Sequence, residues 1–153
     1  MGSTLVAVRT GFITALAALT GTGEDLEDVQ VSYAYLRGPE KRECIYTSGG
    51  KFNHSNASLR ATKTFRNEVG TFGLVVLVRG IKAAQETTSA RALAIGAVVE
   101  DFVATHANWS NSALGVPIQT MTIEGDGELV EAFNDNGTLA ELTIPIRYTA
   151  RLT

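Results

Sequence analysis

Two histidines, His54 and His106, and a single cysteine, Cys44, are the side chains best suited to acid–base, nucleophilic or metal chemistry in this 153-residue chain. His54 falls in a polar stretch. His106 falls at the expected end of a helix, where the dipole favours a cation. Neither belongs to a ligand spacing such as H-x-x-x-H, and one Cys makes neither a thiolate cluster nor an intrachain disulfide. A Cys–His or Ser–His relay needs partners that nothing local supplies, although such partners can be distant in sequence. Cys44, in the alternating run R-E-C-I-Y, reads as a small buried strand residue rather than a reactive or intermolecular thiol.

The acids are no more suggestive of chemistry. Glu124, Asp126 and Glu128 alternate with glycine in E-G-D-G-E, but a calcium loop needs a distal bidentate Glu that is missing here. An exposed acidic hairpin segment is the simpler reading. The glycines match no phosphate-cradling pattern: G-T-G-E-D follows a helix signal and S-G-G-K has the wrong spacing. Trp109 reads as a core or rim aromatic rather than a binding anchor. No catalytic residue, no metal ligand and no cofactor is expected.

The surrounding elements read as follows. Leu5, Val8, Phe12, Leu16 and Leu19 recur at helical spacing, with Ser3 or Thr4 as cap and Gly21 and Gly23 as terminators. E-D-L-E-D follows as an exposed acidic turn. Val29, Val31, Tyr33 and Tyr35 alternate on one face of a strand, and K-R-E-C-I-Y-T is expected to pair back on it. Residues 48–58, with Phe52 as their one large apolar side chain, read as the longest loop; residues 59–68 read as an extended basic strand. T-F-G-L-V-V-L-V-R-G-I is the most apolar strand. Thr87–Ser89 cap a second helix to about His106, with Ile95, Val98, Val99 and Phe102 on its apolar face. Two long strands close the chain, joined at Asn134–Gly137 as a hairpin. The order implies one α+β domain over residues 1–153: a mostly antiparallel sheet of five or six strands covered by two amphipathic helices.

A composition of 44% hydrophobic and 19% charged residues suits a globular domain, and the net charge of −3 gives no overall basic surplus for wrapping nucleic acid. The first apolar run is too short to span a bilayer and lacks the charged flank of a signal peptide, so the chain is expected in the cytoplasm where it is made, with no membrane partner. Its four N-glycosylation triplets are then chance matches. Charge is segregated along the chain. Residues 29–91 hold ten Lys/Arg against four Asp/Glu, whereas residues 92–146 hold eight acids and no Lys or Arg. A basic side and an acidic side suit head-to-tail association of copies, with Phe52, Arg60, Lys63 and Arg66 set against Glu128 and Glu131. The same cations offer an alternative phosphate-contacting strip.

Taken together, the helix T-L-V-A-V-R-T-G-F-I-T-A-L-A-A-L, the strand V-Q-V-S-Y-A-Y, the strands through V-G-T-F-G-L-V-V-L-V-R-G-I, the helix S-A-R-A-L-A-I-G-A-V-V-E-D-F-V-A-T-H and the closing pair ending I-P-I-R-Y-T-A-R-L-T resemble the tail terminator proteins of long, non-contractile-tailed, lambda-like bacteriophages. The likeness covers essentially the whole chain and lies in element order, size and texture, because that family has no short signature motif. It implies a non-enzymatic virion protein at the head–tail junction, forming a hexameric ring. The ring would cap the tail tube, stop its growth and dock the head connector, with DNA only as cargo through the lumen. Another head–tail joining protein, a connector or stopper, is the neighbouring reading. A small enzyme or ligand-binding domain is the reading from a different class.

Overall fold

In a computed structural model, residues 2–38, 41–60, 63–105 and 118–152 are described, and for 56–60 and 63–65 the backbone alone. The first helix, α1, spans Leu5–Ala17 and buries Val8, Phe12, Ile13 and Leu16, as the spacing predicts. Leu5 and Leu19 pack at the margin of the same core. After Ala17 the chain turns, with Leu19 N–H donating to the Leu16 carbonyl and Gly23 at φ 81°. The acidic turn is not wholly exposed. Leu26 is fully buried, and it anchors the segment while Glu24, Asp25, Glu27 and Asp28 stay outside.

Strands β1 (Val29–Ser32), β2 (Glu43–Arg60) and β3 (Lys63–Gly80) follow, then helix α2 (Gln85–Thr105), then β4 (Ile118–Ile123), β5 (Glu128–Asn134) and β6 (Gly137–Leu152). All six strands share one sheet in the order β1-β2-β3-β6-β4, and β5 lies beside β4 on the same side of β6. The α+β class holds, but the sheet is mixed. β1 and β2 run parallel, with Val29 opposite Glu43, rather than folding back as a hairpin. Ten residues separate Ser32 from Glu43, enough extended chain to return alongside a four-residue strand.

The expected loop at 48–58 is strand. It lies inside β2, where Lys51–Asn56 pair with Arg66–Thr71 of β3. The Gly/Asn/Ser composition that signals a loop is accommodated by a bulge between Ser48 and Lys51, with Gly49 at φ 46° and Gly50 at φ 156°. Gly50 is needed for a second reason. A Cβ there would come within 2.8 Å of a Leu5 methyl, so its absence lets α1 sit on the strand. The expected single strand over 59–68 is in fact the end of one strand and the start of the next, and Arg60 is the cross-strand partner of Lys63.

The closing hairpin is as expected, with Asn134 opposite Gly137, but its first arm is divided by Glu124–Gly127 into β4 and β5. Helix α2 starts before the expected cap. Thr88 and Ser89 lie in its first turns, buried; the Thr88 hydroxyl meets Thr138 at 2.6 Å and Ser89 donates to Glu131, so both hydroxyls fasten the helix to the sheet. Gly96 lets α2 approach β6, since a Cβ there would lie 2.5 Å from a Leu142 methyl. His106 and Trp109 lie outside the described residues.

Both helices cover one face of the sheet. Val8, Phe12 and Leu16 of α1 and Ala92, Ile95 and Val99 of α2 share a core with Phe72, Leu74, Val76 and Val78 of β3 and Leu142, Ile144 and Ile146 of β6. Phe12 joins the layers, edge-on to Phe72 at 5.8 Å and to Phe102 at 6.1 Å. Phe12→Ala is expected to cost about 3–5 kcal/mol in urea unfolding, because both rings lose a partner across a fully buried site. Cys44 is buried in β2 as expected, and burial pushes its thiol pKa up, against the weaker opposing effect of Arg79.

Candidate functional site: a buried carboxylate at the root of a projecting hairpin

β2 and β3 outrun the rest of the sheet. β1 ends opposite Tyr46 and β6 reaches β3 only from Arg66 onward, so the pairs Ser58–Phe65, Leu59–Thr64 and Arg60–Lys63 have only each other among the described strands. A two-stranded ribbon is marginal alone in water, so its root must hold it. That root is built around Glu68.

Glu68 lies on β3 with its side chain fully buried. Strand alternation puts it on the same face as Phe72, Leu74 and Val76, beneath the start of α1. Thr4 donates to it twice, through its hydroxyl at 2.6 Å and its backbone N–H at 3.0 Å to Oε1. The Tyr148 hydroxyl donates to Oε1 at 2.7 Å, and His54 Nε2 sits 2.6 Å from Oε2. Four donors thus converge on one carboxylate from α1, β2 and β6, occupying its lone pairs. Because Thr4 is the N-cap of α1, the carboxylate also supplies the negative charge that a helix start favours. The Thr4 side chain makes no local cap and reaches the sheet instead.

The electrostatics follow from this enclosure. Burial alone would raise the Glu68 pKa, but hydrogen bonds from Thr4, Tyr148, His54 and Ser3 outweigh it and hold the carboxyl below its usual value. Tyr148 moves the other way. Burial first, then the Glu68 carboxylate, keep its phenol protonated well above the ordinary tyrosine range. The site is therefore an acid held toward its ionised form by the donors around it. It is suited to fixing the helix start and the hairpin to each other. Among the described residues, no three His, Cys, Asp or Glu side chains are grouped so as to hold a metal ion.

Phe52 is 51% exposed on β2, its ring 5.4 Å from that of His54. Arg66 is exposed and pairs in register with Asn56 and Leu152; the side chains of Arg60 and Lys63 lie outside the described residues. Glu128 and Glu131 both lie on β5, but they do not form one patch. Three residues apart on a strand they point to opposite faces, and Glu131 turns to α2 to accept from Ser89. The hairpin cations Arg60, Lys63 and Arg66 are well separated from β5, whereas Lys41, Arg42 and Arg79 of the same basic segment line one pocket with Ala132, Phe133 and Asn134. β5 lies across β6 and β3 from β2, and it flanks the end of β6 that pairs with Val75–Gly80, far from the hairpin end at Lys63. Some of the charge is neutralised within the chain, by Arg91–Glu43 and Arg147–Glu124, both at 2.8 Å.

The sequence places His54 in a loop and offers Thr4 only as a helix cap, and it draws no attention to Glu68 or Tyr148. The available signal was parity, since Glu68 is an even step from Phe72 and Tyr148 an even step from Ile144 and Ile146. Comparison with known proteins adds no assignment: no family model matches the chain, and no curated protein matches it.

Proposed function

We propose that the chain is a structural virion protein that caps the tail tube of a long, non-contractile-tailed bacteriophage as a ring, stopping tube growth and presenting a docking surface to the head connector. The observation that carries the reading is the projecting β2–β3 hairpin with its root held at Glu68, an arm at one end of the sheet. An arm of this kind extends the reach of a subunit to a neighbour or to a tube end. The acidic strand β5 at the diagonally opposite corner supports head-to-tail contact between copies. The resemblance in element order supplies the tail context. In that setting the protein works by binding alone, six copies surround the DNA path, and the protein resides in the virion at the head–tail junction.

The test is to add the purified chain to polymerising tail tube protein and image the products by electron microscopy. Shorter tubes, each with a ring on one end, are expected. Replacing Arg60, Lys63 and Arg66 with Glu is expected to weaken capping and make what remains less sensitive to salt. Tubes of unchanged length with bare ends would contradict the reading, and duplex DNA binding with a steep salt slope would favour the phosphate-contacting alternative.

A further inference from the structure

We infer that a cleft at the end of the sheet remote from the hairpin binds a short acidic segment of a partner protein, with carboxylates on Lys41, Arg42 and Arg79 and a large apolar side chain against Ile81 and Phe133. The site stands whether or not the chain forms a ring. Four segments wall the cleft: the residues leading into β2, the end of β3, the end of β5 and the start of β6. Arg79, Leu139 and Ala132 stand in one cross-strand row, and Gly80, Thr138 and Phe133 form the next. The Arg79 N–H donates to the Arg42 carbonyl, which sets these two cations side by side on neighbouring strands. Glycine makes the floor. A Cβ on Gly137 would lie 2.1 Å from the Gly80 carbonyl oxygen, so the two backbones meet with no side chain between them. The space enclosed, about 530 Å³, lies within the usual range of binding clefts.

The lining is cationic although the chain carries a net charge of −3. Lys41, Arg42 and Arg79 belong to it, and no described lining residue is acidic. The nearby acids do little to cancel them. Arg91 engages both oxygens of Glu43, at 2.8 and 2.9 Å. Asp28 comes no nearer to Lys41 than 3.9 Å and is 90% exposed, a geometry worth little in water. Arg79 donates to the Tyr35 hydroxyl, a neutral acceptor that orients the guanidinium and leaves its charge in place. A guanidinium has five N–H groups, so one such bond leaves donors for a carboxylate.

The apolar part points to a protein partner. Phe133, at 84%, is the most exposed large apolar side chain among the described residues, and Ile81, at 54%, lines the same cleft. Exposed aromatics beside arginine are where binding energy concentrates at protein interfaces. The surroundings then select a short anion. Asp135 stands exposed on the lip, between Asn134 and Asn136, and beyond Lys41 and Arg42 the adjoining surface carries Glu27 and Asp28. A nucleic-acid backbone, charged at every step, brings phosphates against both groups of acids. A peptide sets its carboxylates over the cations alone and adds an apolar side chain for Phe133 and Ile81.

The test selects binders to the immobilised full chain from a displayed library of random dodecapeptides. Enriched peptides should set Asp or Glu next to Phe, Trp or Leu. The best of them, fluorescently labelled, is then titrated by anisotropy. The double variant Lys41→Glu, Arg42→Glu and the single variant Phe133→Ala change exposed side chains, so the fold is kept, and each is expected to weaken binding at least about tenfold. Lys51→Glu, an exposed cation of β2 outside the cleft, should leave binding unchanged. A selection repeated on the double variant should lose the preference for acids. Enrichment of no peptide, enrichment without an excess of acids, or equal binding of the labelled peptide by wild type and either cleft variant overturns the proposal. So does a single-stranded DNA oligonucleotide that binds more tightly than the peptide and loses affinity in the same variants, which would make the cleft a phosphate site. Each of these outcomes leaves the ring reading to be judged by oligomer size and tube length.

Discussion

Glu68→Ala is expected to destabilise the fold by about 3–5 kcal/mol, because it leaves the Tyr148 and Thr4 hydroxyls, the Thr4 N–H and His54 without the acceptor they surround. In a chain of 153 residues that corresponds to a melting temperature lower by roughly 10 °C. The loss should not be uniform over the structure. Hydrogen exchange should accelerate first in the hairpin and the first turn of α1, the two elements that Glu68 joins. The pH dependence has a definite sign. The folded-state pKa of Glu68 is depressed below its ordinary 4.5, so its contribution is fully present above that value and is lost as pH falls through the folded-state pKa. Glu68→Gln does not titrate, so the stability gap between wild type and Gln should be constant above pH 4.5 and shrink below it. Tyr148 acts at the other end. Its pKa is raised in the fold, so stability should fall as pH rises past its ordinary 10. A gap between wild type and Glu68→Gln that stays constant down to pH 2 would show that Glu68 is not held ionised.

The second large effect is expected at Gly70, which faces Phe52 on β2 and Tyr148 on β6. In an ordinary strand interior, Gly→Val relieves the entropic cost of glycine and adds a residue that favours the pleat. Here the sign reverses. A Cβ on Gly70 would lie 2.3 Å from two ring carbons of Tyr148 and 2.4 Å from its hydroxyl oxygen. The ring lies across this glycine to reach Glu68, and it is fully buried, so it has nowhere to withdraw. Gly70→Val is expected to cost about 3 kcal/mol or more, at the upper end of overpacking effects. Because the displaced hydroxyl is the one that Glu68 accepts, Gly70→Val and Tyr148→Phe should be far from additive in urea unfolding. Strict additivity would mean that the ring moves aside without giving up the carboxylate.

The parts of this fold that the sequence expresses locally were legible in it. Helical spacing gives both helices and their apolar faces, and the turn residues at Asn134–Gly137 give the closing hairpin. What escaped was fixed by long-range pairing. Residues 48–58 carry the composition of a loop, yet backbone pairing with β3 holds them in a strand, because main-chain hydrogen bonds are indifferent to Asn and Ser. The parallel run of β1 against β2 has no local signature either, since alternation is the same in both directions. The Glu68 cluster joins residues 14, 64 and 80 positions apart, so no motif spacing encodes it. Charge segregation was legible as a tally but not as a geometry. The structure sets the hairpin cations and β5 at opposite corners of one sheet, brings Lys41, Arg42 and Arg79 beside β5, and turns Glu131 away from Glu128.

Ring formation is the claim on which the functional account stands, and native mass spectrometry of the purified chain over a range of concentration and salt tests it most directly. The account predicts a single closed oligomer, six copies by the family resemblance, that loosens as salt screens the contact between the acidic and basic corners. A monomer at every concentration, or an open series of sizes with no preferred number, would contradict it.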